Sequence, residues 1–286
     1  METKPATVDL DAEVAKLTTL IGQIPQPTSG GRKSRGVQLG SYRDGILFLG
    51  ATAGTGPGHW ETHPEDELVH ILDGTRTLQI VCDDGPPRSY ELRAGMIAVI
   101  PRGAWHRFHS WDFGMLMSAT IPGPHVELDV DDPRPHAHAS SAERQPASGP
   151  PSIVDLDAEL AKLTMFRRTP QSTLAERAGS VANLTTYRDG LVLAIKASGK
   201  DHWERHLAGD ELVHILHGSA TLEIVCDDGP SQSYALRAGT VAVIPQGAWH
   251  RLLSAEGATQ VAVTPFPSET LETDVDDPRT SEQKRA

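Results

Sequence analysis

The chain repeats itself once. Val8-Asp9-Leu10-Asp11-Ala12-Glu13 returns as Val154-Asp155-Leu156-Asp157-Ala158-Glu159, and Tyr42-Arg43-Asp44-Gly45 returns as Tyr187-Arg188-Asp189-Gly190. Val81-Cys82-Asp83-Asp84-Gly85-Pro86 recurs at 225–230, and Asp129-Val130-Asp131-Asp132-Pro133-Arg134 at 274–279. The offset stays between 143 and 146 residues. Solenoid repeats have periods of roughly 20–50 residues, so a period this long means a duplicated domain. A length of 286 residues agrees with two domains. The expected layout is a first domain at 1–132, a Pro/Ala/Ser-rich linker at 133–152, a second domain at 153–279 and a polar tail at 280–286.

Each repeat opens with helical spacing. In the first, Leu10, Val14, Leu17 and Leu20 recur at three or four, which predicts a short helix over 9–19, capped by Asp9 or Asp11. Residues 21–38 are rich in Pro, Gly, Ser and Thr and read as a loop. Short strands follow at 45–49, 59–63, 67–72, 76–81, 88–92, 96–100 and 115–120, separated by Asp-Gly, Gly-Pro and Pro-x-Gly signals. Many strands with no helix between them predict an all-β protein: two tandem β-sandwich jelly rolls or small barrels, each with a short N-terminal helix. The duplicated helix and the sheet edges suggest pseudo-two-fold packing of the halves, with a homo-oligomer as a further expectation.

Net charge is -12 with a pI near 5.5, which argues against a nucleic-acid surface. The basic run Arg32-Lys33-Ser34-Arg35 sits among glycines and reads as a solvated loop. Cys82 and Cys226 occupy equivalent positions and read as reduced strand cysteines. The N-terminal residues carry no apolar signal segment and no apolar run is long enough to span a bilayer, so the expected location is the cytoplasm. His136 and His138 fall in the linker and read as solvated.

Five groups recur in the same order in both halves. They are His59, Glu61, His63, Glu67 and His106, then His202, Glu204, His206, Glu211 and His250. On a strand, His59, Glu61 and His63 share one face, about 6–7 Å from one to the next. Glu67 follows the turn Pro64-Glu65-Asp66 and opens a strand whose Val69 and Ile71 share its face. His106 follows the turn Pro101-Arg102-Gly103. The second half has a longer turn, Leu207-Ala208-Gly209-Asp210, yet keeps every donor. Imidazole and carboxylate at such spacing suit a first-row divalent metal at about 2.0–2.2 Å per ligand. A hydrogen-bonded core pair of histidines is the plainer reading of the same residues. By alternation, Trp60, Trp203, His70 and His214 face away from the donors. Arg43, Arg107, Arg188 and Arg251 either hold an acidic substrate or are surface charges paired with Asp44 and Asp189.

At these positions the chain resembles the cupin superfamily. His63-x3-Glu67-x6-Gly74 resembles the first cupin motif, and Gly95-x5-Pro101-x-Gly103-x2-His106 the second. His206-x4-Glu211-x6-Gly218 and Gly239-x5-Pro245-x-Gly247-x2-His250 match in the other half, so the chain resembles a bicupin over about 40–130 and 185–270. One feature departs from the pattern: Glu61-x-His63 and Glu204-x-His206 stand where cupins usually have His-x-His. The resemblance implies one divalent ion per domain, with Glu61, His63, Glu67 and His106 in the first and Glu204, His206, Glu211 and His250 in the second. Either both glutamates bind the metal, or a 2-His-1-carboxylate face is left open and Glu61 and Glu204 act as catalytic acid or base. His59 and His202 are further-out ligand candidates. The resemblance implies a metal-dependent enzyme on a small, anionic, phenolic or polyhydroxylated molecule. A dioxygenase-type oxidoreductase with Fe(II) is the leading expectation. An isomerase, lyase or decarboxylase using Zn, Mn or Ni is the second, and a metal-dependent binding or sensor module the third.

Overall fold

The computed structural model describes residues 4–25, 31–81, 85–123, 125–126, 130–136, 149–225 and 229–282. Cys82, Cys226 and His138 lie outside them. The chain forms two compact units, Ala12–Leu156 and Met1–Asp11 together with Asp157–Ala286. Each unit is built on one ten-stranded sheet among the described residues. This is the all-β tandem jelly roll that the strand spacing predicts.

In the first unit, Glu67–Ile80 is the spine, flanked by Met96–Ile100 on one side and His106–Thr120 on the other. Inward residues Val69, Ile71, Leu78, Ile80, Leu92 and Ile100 make its core. The Asp73-Gly74 signal marks a bulge and not the end of a strand, so 67–72 and 76–81 are one element. Gly74 takes φ +72°, which a Cβ would strain. The second unit repeats the plan with Glu211–Val225, Thr240–Ile244 and Trp249–Pro265.

Two elements correct the sequence reading. The first helix runs to Gln23, and Lys33–Tyr42 is a strand paired with Gly45–Ala53, where a loop over 21–38 is expected. Gly36, Gly40 and the Lys-Ser-Arg run hide its alternation. Pairing with a strongly apolar neighbour overrides the weak propensity.

The last strand of each sheet comes from outside its own repeat. Ser152–Asp155 pairs antiparallel with Met96–Ile100 in the first unit. Ala6–Asp9 pairs with Thr240–Ile244 in the second. Arg93 bonds Asp155, and Arg237 bonds Asp9 at 2.5 Å, pinning each register. A covered edge is protected from stray strand pairing. Among the described residues no helix is long and apolar enough to cross a membrane.

Candidate metal centre

Three backbone segments converge in the first unit. Trp60–Glu61 pairs with the next-but-distant strand at Glu61↔His106, so these two residues are neighbours across the sheet. Glu67 and His106 each open a long strand. The intervening turn is tied down twice: Gly103 N–H donates to His63 O at 2.8 Å, and Arg102 N–H to Asp66 Oδ1 at 2.9 Å. Gly103 adopts φ +73° to make that turn. The second unit copies the device, with Gly247 N–H on His206 O at 2.8 Å and Gln246 N–H on Asp210 Oδ1 at 2.9 Å. Both motifs of each half are thereby locked to each other by backbone bonds.

All eight expected donors come together, four per unit. His106 Nε2 lies 3.0 Å from Glu67 Oε2 and 3.8 Å from Glu61 Oε1, and His63 Nε2 lies 3.5 Å from Glu67 Oε2. Glu61, His63 and His106 offer atoms within 4.8 Å of one another; in the second unit Glu204, His206, Glu211 and His250 all meet that distance. There, His250 Nε2 is 2.9 Å and His206 Nε2 3.5 Å from Glu211.

These donors fit a divalent metal. His106 Nδ1 is 3.0 Å from Ala104 O, and His250 Nδ1 is 3.0 Å from Ala248 O. Each Nδ1–H donates to its carbonyl, which leaves the Nε2 lone pair facing the carboxylates. His63 Nε2, His106 Nε2, Glu67 Oε2 and His206 Nε2 are buried without a hydrogen-bond partner. Buried polar atoms are rarely left so, and the three that converge in the first unit point to an ion between them. Charge makes the same demand, since two carboxylates with neutral imidazoles leave the cluster short of positive charge. Burial opposes charge on Glu67 and Glu211, but the histidines outweigh it and hold both well below the usual carboxylate range. Burial likewise opposes the imidazolium forms, yet the glutamates raise His106, and raise His250 to about 9.

The two outer glutamates differ. Burial raises the Glu61 carboxyl, with only partial relief from His106. Burial also opposes charge on Glu204, but His202, with Nε2 3.4 Å away, reverses the sign and lowers it. His202 is held in turn by Arg177 Nη1 at 3.2 Å from its Nδ1, and Asp201 bonds Arg168. His59 lines the first unit's cavity.

That cavity is the feature the sequence reading misses. It measures about 610 Å³ and reaches Glu61, His63 and Glu67 from walls that include Phe48, Phe108, Arg32 and Arg76. Arg32 belongs to this wall and not to a solvated loop. Arg76 shares the parity of Leu78 and Ile80, both core residues, so strand alternation marks it as inward-pointing. In the second unit a pocket of about 20 Å³, room for about one water, lies against Ala220, Asp201 and Leu252, the counterparts of Arg76, Gly58 and Phe108. Arg107 and Arg251, in contrast, are outside both centres. Arg107 stacks 4.5 Å from the Trp60 ring and bonds Gln79, while Arg251 stacks 4.2 Å from Trp203 and bonds Glu223. Their alternation sends them to the opposite face with the tryptophans. Trp60 and Trp203 are fully buried there, as expected.

Residues 50–112 match the cupin domain family model. Among solved structures, Bacillus subtilis oxalate decarboxylase, studied for its Mn(II) centres, superposes with a TM-score of 0.55 at 13% identity over 88% of this chain and 78% of that one. A tryptophan-to-phenylalanine variant of the same enzyme gives 0.55 at 13% identity over 93% and 82%. The chain has the tandem cupin fold. At this identity the likeness to the decarboxylase is one of fold. No curated protein is significantly similar to the bicupin in sequence.

Proposed function

We propose that this bicupin is a metal-dependent enzyme whose first unit carries the reaction on a small organic molecule. The observation that supports it is the meeting of the donor cluster of Glu61, His63 and His106, with Glu67 beside it, and a cavity of about 610 Å³, a size typical of small-molecule sites. His63, Glu67 and His106 would hold a divalent ion, with Glu61 either completing the set or standing at its open side. An ion bound there supplies Lewis acidity, moderated by the carboxylates. Oxygen-rich donors suit Mn(II) or Fe(II) among first-row metals. Glu61, whose side chain is 39% exposed, is placed to move a proton at Oε1 on the cavity side. The wall of Phe48, Phe108 and Leu116 would orient the body of the substrate and exclude water from it.

For the reaction class we favour non-redox, metal-assisted bond cleavage or proton transfer of the lyase type. A proton-moving carboxylate beside the donors supports it, and so does the fold likeness to a decarboxylase. The oxygenase reading keeps one observation on its side, the 2-His-1-carboxylate group of His63, Glu67 and His106. Elemental analysis of protein purified without added metal or chelator, followed by oxygen-uptake and carbon-dioxide-release assays, separates the two. Manganese with release and no uptake supports the lyase; iron with uptake moves the assignment to the oxygenase; no metal after reconstitution removes both.

A further inference from the structure

The cavity wall holds two arginines that form no ion pair among the described residues. Arg76 is 1% exposed, and its Nε and Nη2 have no hydrogen-bond partner. Its Nη1 makes one long bond, 3.4 Å, to Thr75 O. Arg32 also has a buried Nε without a partner. Among the described residues neither guanidinium forms an ion pair. Burial depresses both, and each is also a poor neighbour for the other: Arg76 is pushed down to about 10 by burial and then by Arg32. Arg32 is close enough to Glu61 for their charges to attract.

A buried, unpaired guanidinium is costly, and arginine offers a planar fork matched to a carboxylate. The second unit shows what the fold does without such a need. Its strand carries Ala220 where the first has Arg76, and Asp201, where the first has Gly58, binds Arg168 directly. The rest of the wall sets the apolar side chains of Ile46, Phe48, Phe108 and Leu116 beside Arg35 and the hydroxyls of Ser34, Thr52, Ser118 and Thr120.

We infer that the first-unit cavity binds an organic carboxylate with an apolar body, its carboxylate held by Arg76 and Arg32 and its other end directed toward Glu61. This deepens, and rests on, the reading of the first unit as the reactive half. At about 610 Å³ the cavity takes a ligand well beyond a two-carbon diacid.

The test is isothermal titration of the full chain, loaded with Mn(II), with 3-phenylpropionate and with its neutral match 3-phenylpropanamide. The acid should bind at least ten-fold tighter than the amide. Arg76→Met should erase that preference, keep the metal content and raise the melting temperature, because an uncompensated charge has left the interior. Arg32→Met is an independent arm with the same expected loss of preference. Equal binding of acid and amide, no binding of the acid, or an undiminished preference in either variant overturns the inference. A lower melting temperature in Arg76→Met would make Arg76 a structural residue and overturn it too. Metal-free protein is titrated alongside. A carboxylate preference in a chain that takes up no metal sinks the catalytic reading and upholds the anion site; a metal-loaded chain indifferent to carboxylate sinks the anion site alone.

Discussion

In the first unit Glu61 faces a chamber of about 610 Å³ with two unpaired arginines; in the second, Glu204 faces His202, Arg177 and Asp201 across a polar network. The histidine pairs of the two donor clusters match, with ring centroids 5.2 Å apart in one and 5.3 Å in the other. What has diverged is the lining. Gly36 and Gly50 pair across the first hairpin where Val181 and Ile195 pair across the second. Ile195 joins a core with Ala220, Leu222, Ala258 and Ala262, filling the space that the first unit leaves open. Duplication preserved the metal geometry because backbone bonds fix it, and left the cavity walls free to change. One half is built to admit a ligand, the other to pack.

The largest effects should come from the centres. His106→Ala and His250→Ala should each remove one metal per chain, measured by elemental analysis, but only His106→Ala should change the affinity for 3-phenylpropionate. Loss of binding in His250→Ala would break the division of labour.

Asp201→Asn comes next. It strands Arg168 and Arg177, and breaking a buried pair costs about 3–5 kcal/mol, readable by urea unfolding. Its mirror, Arg76→Met, is expected to stabilise, so the two substitutions should move the midpoint in opposite directions. Ile195→Ala should cost about 2–4 kcal/mol by opening a cavity in the second core.

A smaller effect is pH-dependent and shows in chelated protein. The folded pKa of His250, about 9, lies above the unfolded value of about 6.5, so its contribution is complete below the lower value and is lost as pH rises through 9. Metal-free protein should lose stability on the order of 1–3 kcal/mol between pH 6.5 and 9. Metal-loaded protein, whose Nε2 atoms would carry no proton, should not follow it. A flat metal-free profile would contradict the charge demand assigned to this cluster.

Gly58→Asp is the smallest and the most discriminating. It places beside Arg32 the carboxylate that the second unit carries at Asp201, where an added Cβ would meet Arg32 Nη1 at 2.5 Å. It should lower carboxylate affinity about ten-fold, about 1.4 kcal/mol, with little change in melting temperature.

The donors were legible in the sequence because they recur as a short, ordered pattern on two-residue strand alternation. The strand Lys33–Tyr42 was not, because its glycines and charged residues carry no period of their own and its pairing is supplied by Gly45–Ala53. Arg76 could have been found from its parity with Leu78 and Ile80. The cavity beside it could not, because a void arises from what three separate strands leave unfilled, and periodicity in one strand does not report on that. The edge strands were hidden for a related reason: Val8-Asp9 and Val154-Asp155 look alike, and only pairing shows which sheet each completes.

The most direct test of the account is electron paramagnetic resonance of the Mn(II)-loaded bicupin during titration with 3-phenylpropionate, in His106→Ala and His250→Ala protein. The account predicts that the carboxylate perturbs the Mn(II) spectrum of His250→Ala, which keeps the first centre, and leaves that of His106→Ala unchanged. A ligand-dependent spectrum in His106→Ala would contradict it and place the working site in the second unit.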